Sequence, residues 1–145
     1  MNASADWREF SADRVHYEDM LSFVMEAAEQ AGLPRNRQMR LQLGFEEAVI
    51  NVISYAYGTE AQGKIWIKAH AEGEHFLLEI KDSGVQFNPL LKEDALAHKP
   101  SSLEEAKIGG LGIALMRRVF SDIRYDYAEE NGSFYNHLCL RFESQ

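Results

Sequence analysis

Apolar residues recur at three- and four-residue steps in two successive runs near the start of the chain. In the first run Val15, Met20, Leu21, Val24, Met25 and Ala28 follow the helical period, which predicts a helix capped by Asp13, running to about Ala31 and stopped by Gly32. Pro34 follows, and a second helix is predicted from there to about Tyr57, with Gly58 ending it. Its closing half, FEEAVINVISYAY, repeats Ala48, Val49, Val52, Ile53 and Ala56 on one face. From Gly63 the period becomes two: GKIWIKAHA alternates Ile65, Ile67 and Ala69 against Lys64, Trp66 and Lys68, and HFLLEIKD sets Phe76, Leu78 and Ile80 on one face. With Glu72-Gly73-Glu74 as the turn, the two strands form an antiparallel hairpin, and Asp82-Ser83-Gly84 ends the second of them.

Residues 88–107 are the least regular part of the chain, with Pro89, Pro100, Ser101 and Ser102 around a charged middle. A stretch of that length inside a compact domain predicts a functional loop, a lid over about 88–109. GGLGIALMRRVF then opens a helix to about Phe120. Two final strands, 123–129 and 133–142, join at Asn131-Gly132. DWREFS, residues 6–11, predicts a short opening strand. The order strand, two helices, hairpin, lid, helix, hairpin predicts one domain over residues 1–145 of the α+β class: a two-layer α/β sandwich whose mostly antiparallel sheet carries about three helices on one face.

Composition narrows the partners. A net charge of −8 disfavours nucleic acid and anionic membrane as partners, although Arg35, Arg37 and Arg40, or Arg117 and Arg118, leave room for local positive patches. Cys139 is the single cysteine, which excludes an intrachain disulfide and points to a reducing compartment. MNASADWREF lacks the apolar core of a signal peptide, and no window approaches the ~18 apolar residues of a membrane span, so a cytoplasmic protein is expected. The histidines show no HxH or HExxH spacing for a metal site.

Three pieces carry candidate chemistry. Glu47 and Asn51 lie four apart at the edge of a buried helical stripe, where a carboxylate and a carboxamide are costly to bury without partners. A plain helix edge at the sheet boundary is the other reading. Asp82-x-Gly84 places a carboxylate at a strand end, either as an acceptor for an exocyclic amine or as a solvated turn aspartate. Gly109, Gly110 and Gly112 open a helix, where free backbone N–H groups and the positive dipole end attract phosphate, although glycine-rich turns before helices are also common structural features. The run is neither a P-loop nor a Rossmann fingerprint.

In that order these pieces resemble the GHKL ATPase superfamily, specifically its small bacterial branch, the anti-sigma-factor serine kinases. EEAVINVISYAY, IKDSGVQFNP and GGLGIALMRRVFSDIRY carry the resemblance, which spans nearly the whole chain. It implies a Bergerat-type ATP-binding fold and Mg-ATP as cofactor. Asn51 would bind magnesium and bridge it to the phosphates. Glu47 would orient or deprotonate the attacking hydroxyl, Asp82 would hold the adenine amino group, and Gly84 would let the base lie close. Gly109, Gly110, Leu111 and Gly112 would face the phosphates under the lid, with Lys107 in reach or simply solvated. The implied activity is serine phosphorylation of a STAS-type antagonist, combined with sequestration of a sigma factor or similar regulator, by a homodimer. The alternative is a nucleotide-binding or nucleotide-free scaffold. Two departures stand out: Gln86 replaces the pattern's second glycine, and Tyr55 replaces a histidine.

Overall fold

Strand alternation sets the frame of the molecule. The computed structural model describes residues 6–57, 63–91 and 111–145. Within them five strands, β1 (Arg8–Ser11), β2 (Lys64–Glu72), β3 (His75–Asp82), β4 (Asp122–Glu130) and β5 (Ser133–Glu143), form one antiparallel sheet in the order β1-β2-β3-β5-β4. Three helices, α1 (Tyr17–Gln30), α2 (Arg35–Asn51) and α3 (Leu111–Val119), contribute to the core over one face of that sheet. The α+β sandwich expected from the hydrophobic pattern is therefore present, with the strands starting and ending within two residues of expectation.

Register places the core in rows. Phe76 and Phe142 pair across β3 and β5, with the exposed Ala71 of β2 at the open end of their row, then come Ala69, Leu78 and Leu140, then Ile67, Ile80 and Leu138. The row that ends this face is Ile65, Asp82 and Asn136, so two polar side chains stand side by side where the apolar rows stop. Above the rows lie Met20, Val24 and Ala28 of α1, Leu41, Phe45, Ala48 and Val49 of α2, and Met116 and Val119 of α3. Each of the larger of these side chains (Met, Val, Leu, Phe), removed from water, contributes about 1.5–3 kcal/mol. Trp7 and Trp66 sit on the other face: Trp7 meets the His137 ring edge-on at 5.6 Å and Trp66 meets Tyr135 at 5.6 Å.

Three local expectations change. Asp13 does cap, but it caps a 3-10 turn, Arg14–His16, that leads into α1, and Val15 in that turn is 84% exposed rather than on the buried face. The second helix keeps α geometry only to Asn51; Val52–Tyr57 form a π turn. Widening the last turn in this way is common at functional positions. Here it brings the Ala56 carbonyl to the N–H of Val85, at 2.9 Å. Gly58 lies outside the described residues, as do most of the expected lid and its glycines. The last turn is as expected: Asn131 and Gly132 both take positive φ, 52° and 87°, the backbone of a two-residue hairpin.

α2 and α3 meet closely at Gly44. A Cβ there would lie 2.5 Å from Val119 Cγ1 and 2.7 Å from Phe120 Cε2. Gly44→Ala should therefore force α3 outward and cost about 1–3 kcal/mol in stability, read as a lower denaturation midpoint in urea.

Candidate functional site

The polar row at the end of the sheet builds the candidate site. Asp82 is the last residue of β3 and only 2% exposed, and Asn136 opposite it on β5 is 4% exposed. Asp82 Oδ1 accepts from Asn136 Nδ2 at 2.9 Å and from the Gly84 N–H at 2.9 Å. Asn136 is fully engaged: Nδ2 also donates to the Val85 carbonyl at 2.8 Å, and Oδ1 accepts from the Phe87 N–H at 2.9 Å and from the Tyr125 hydroxyl. One carboxamide thus orients the aspartate and ties down the loop after it. Burial raises the Asp82 pKa against the pull of those two donors, so its charge is held at a cost.

Asn51, 6% exposed, comes to the same place from the end of α2. Its Nδ2 donates to the Glu47 carbonyl at 2.8 Å and approaches Met116 Sδ at 3.8 Å. Both contacts use the nitrogen; among the described residues no partner stands against the amide oxygen, the atom a hard cation takes. Asn51, Asp82 and Asn136 line one slot with Ala48, Val52, Phe87, Pro89, Tyr125 and Leu138. Its enclosed space is about 10 Å³, near the size of one water. The Phe87 ring stacks on Tyr55 with centroids 5.0 Å apart, which holds it over the slot. Burial also pushes the Tyr125 hydroxyl up to about 12.

Glu47 stands apart from the slot. It is half-buried on the edge of α2, one turn before Asn51, and reaches it through its backbone carbonyl rather than its carboxylate. Burial first and the neighbouring Glu46 second raise its pKa. Glu46 itself accepts from the Tyr17 hydroxyl at 3.3 Å, on the α1 side. Gly84 serves packing as well as any ligand: a Cβ there would lie 2.3 Å from the Ala56 carbonyl oxygen. The close approach its missing side chain permits here is therefore to the π turn. Tyr57 tightens the same junction, its hydroxyl accepting from the Ser83 N–H at 2.7 Å and donating to the Lys64 carbonyl. Gln86 is exposed and lies outside the slot lining; Phe87 and Pro89 are the residues that narrow it.

Leu111 and Gly112 begin α3, whose Met116 touches Asn51. Lys107, Gly109 and Gly110 lie outside the described residues. Asn136, Phe87 and Tyr125 are the site residues that sequence reasoning passed over. For Asn136 the signal was present: it occupies an inward position of β5 in step with Leu138, Leu140 and Phe142.

A family profile described as "Histidine kinase-like ATPase domain" matches residues 10–142. Among curated relatives, "Serine-protein kinase RsbW" of Listeria innocua is 24% identical over 104 residues, covering 70% of this chain and 66% of that protein. "Anti-sigma F factor" of Bacillus subtilis is 28% identical over 87 residues, covering 60% of this chain and 58% of that protein. The aligned part thus spans less than two thirds of either relative. Among solved structures, Acinetobacter baumannii histidine kinase AdeS gives a TM-score of 0.46 at 16% identity, over 98% of this chain and 69% of that one.

Asn136→Ala should cost about 1–3 kcal/mol by leaving the Phe87 N–H and the Val85 carbonyl without their partner, read by urea denaturation. Asp82→Asn should act oppositely. A carboxyl whose folded pKa is raised stabilises the fold fully below its unfolded value of about 3.9 and loses that stabilisation as pH rises through the folded value. Without the ionisable group, stability should rise relative to the parent between acid and neutral pH, measured as denaturation midpoints across that range.

Proposed function

Since the chain belongs to the histidine kinase-like ATPase domain family, we propose that it is a Mg-ATP-dependent protein-serine kinase of the anti-sigma-factor type. Its substrate is a serine of a STAS-type antagonist protein, and it sequesters a sigma factor or similar regulator, as a cytoplasmic homodimer. The observation that supports this best is the meeting of Asn51 and Asp82, buried polar groups from a helix end and a strand end, in one otherwise largely apolar slot. The names of the curated relatives favour the serine-kinase and anti-sigma readings over other activities of the family. No described helix is long and apolar enough to cross a membrane.

Each residue then has a physical task. Asp82, fixed by Asn136 and the Gly84 N–H, accepts from the exocyclic amine of adenine. Asn51 offers its amide oxygen to magnesium. The fit is reasonable because Mg²⁺ commonly takes one or two protein oxygens and leaves the rest of its sphere to phosphate and water. When bound, that ion would neutralise phosphate charge. On this reading backbone amides of Gly109, Gly110, Leu111 and Gly112, with Lys107, would serve the phosphates; of these Leu111 and Gly112 are described, at the start of α3, where negative charge is favoured. The serine oxygen attacks the γ-phosphorus and the bond to the leaving ADP oxygen breaks. The hydroxyl proton passes to the Glu47 carboxylate, whose raised pKa makes it a better base near neutrality. The rest of the acceleration comes from positioning and charge neutralisation.

One observation favours a second reading, a regulatory scaffold that binds its partner without nucleotide. The slot encloses only about 10 Å³, against the roughly 300 Å³ or more of an ordinary ligand pocket. On the kinase reading, the loop carrying Phe87 and Pro89 moves aside to admit adenine.

Mixing the protein with Mg-ATP and a STAS-domain protein encoded beside it should give phosphoserine on the latter. Glu47→Gln should lower the transfer rate about 10²–10⁴-fold while leaving nucleotide binding close to the parent value. In the parent the rate should fall with acid along a limb lying above the ordinary glutamate value of about 4.3, and the variant should lack that limb. Absence of both transfer and magnesium-dependent ATP binding by calorimetry would select the scaffold instead.

A further inference from the structure

A second concave surface lies at the opposite end of α2 from Asn51. Arg37 and Arg40 of α2 and Arg117 and Arg118 of α3 line one groove of about 500 Å³, with Ser121 and Glu143 at its rim. Taken singly, Arg117 and Arg118 have a structural explanation: the last turn of α3 favours positive charge. The way they are held argues for more. Arg37 donates from Nε and Nη2 to the Glu143 carbonyl, at 3.2 and 2.7 Å, and lies 4.6 Å from the centroid of the Phe142 ring. Arg40 crosses from α2 to donate to the Arg118 carbonyl. Backbone carbonyls and a ring fix the Arg37 and Arg40 guanidinium groups in place, and neutral partners of that kind leave the charge standing.

Among the described residues Glu143 is the single acidic side chain lining the groove, and its carboxylate accepts from Ser121 Oγ at 2.6 Å and lies 3.1 Å from His75 Nδ1. Arg40, Arg117 and Arg118 are exposed. A protein with a net charge of −8 thus gathers four arginines in one depression. Preordered guanidinium forks match carboxylates two bonds at a time. The neighbouring stripe of α2 adds apolar surface, Met39 at 62% and Leu43 at 54% exposure. A protein segment uses that combination, whereas a free anion has no use for the apolar part and the overall charge repels nucleic acid.

We propose that the groove between the start of α2 and the end of α3 docks an acidic segment of a protein partner. This holds whatever chemistry the slot performs, because the two surfaces lie at opposite ends of the 17-residue α2, about 25 Å long.

The probe is a dye-labelled peptide of eight glutamates, followed by fluorescence anisotropy at low salt. Saturable binding should weaken at least about 10-fold in Arg118→Glu and several-fold in Arg118→Gln, and should fade as ionic strength rises. Both variants should keep the parent's denaturation midpoint and ATP affinity, since Arg118 is exposed and remote from the slot. Failure of saturable binding, or binding that neither variant changes, overturns the proposal. So does displacement of the peptide by inorganic phosphate below millimolar levels, which marks a site for the free anion. Tighter binding of an eight-nucleotide thymidine oligomer than of the peptide overturns it in favour of nucleic acid.

Discussion

The site depends on a buried carboxylate that folding has to pay for. Asp82 sits where the inward rows of the sheet run out of apolar residues, 2% exposed, and charge at that depth is tolerated only because donors reach it. Two donors are described, the Asn136 side chain and the Gly84 N–H, both on Oδ1. Were Asp82 there for stability alone, a leucine continuing the rows above it would serve the core better. A costly group that the fold orients and then sets on the wall of a slot is what a ligand-reading group looks like.

The surroundings of Asp82 are built to keep that geometry. The π turn at the end of α2 pushes the Ala56 carbonyl outward, Val85 binds it, and Gly84 leaves room for it. The Tyr57 hydroxyl takes the Ser83 N–H. Asn136 holds the loop from the sheet side through Val85 and Phe87. Helix end and strand end are therefore locked to each other through three consecutive residues, 83 to 85. Asn51, on the last α turn before the π geometry starts, is placed by the same junction. Beyond residue 85 the holding relaxes to single contacts, Phe87 on Tyr55 and on Asn136, the stretch that must yield if adenine is to enter.

Much of this was legible in the sequence, for reasons that differ by element. The strands declared themselves because one face is buried and the other is not, so period two runs through the start of β2 and the whole of β3. The buried stripe of α2 and the Glu47–Asn51 spacing were equally plain. The π turn was not, because its cause is a tertiary bond between Ala56 and Val85 that no local periodicity encodes. Asn136 was readable in principle as a polar residue in an apolar inward series, but only its pairing with Asp82 gives it meaning. Gln86 stands where the family pattern has a glycine, yet it is exposed, and its neighbour Phe87 does the narrowing. Glu47 was grouped with Asn51 by spacing alone; in the fold the two share a backbone contact, and only Asn51 lines the slot.

If Asp82 reads the adenine amine, the protein must tell purines apart, because guanine presents a carbonyl oxygen at that position and would set lone pair against lone pair. Competition calorimetry of Mg-ATP against Mg-GTP on the parent protein measures this directly. A preference for ATP of about 100-fold or more is the expected result, of the size that unpaired buried polar groups impose. Equal affinity for the two nucleotides would contradict the account.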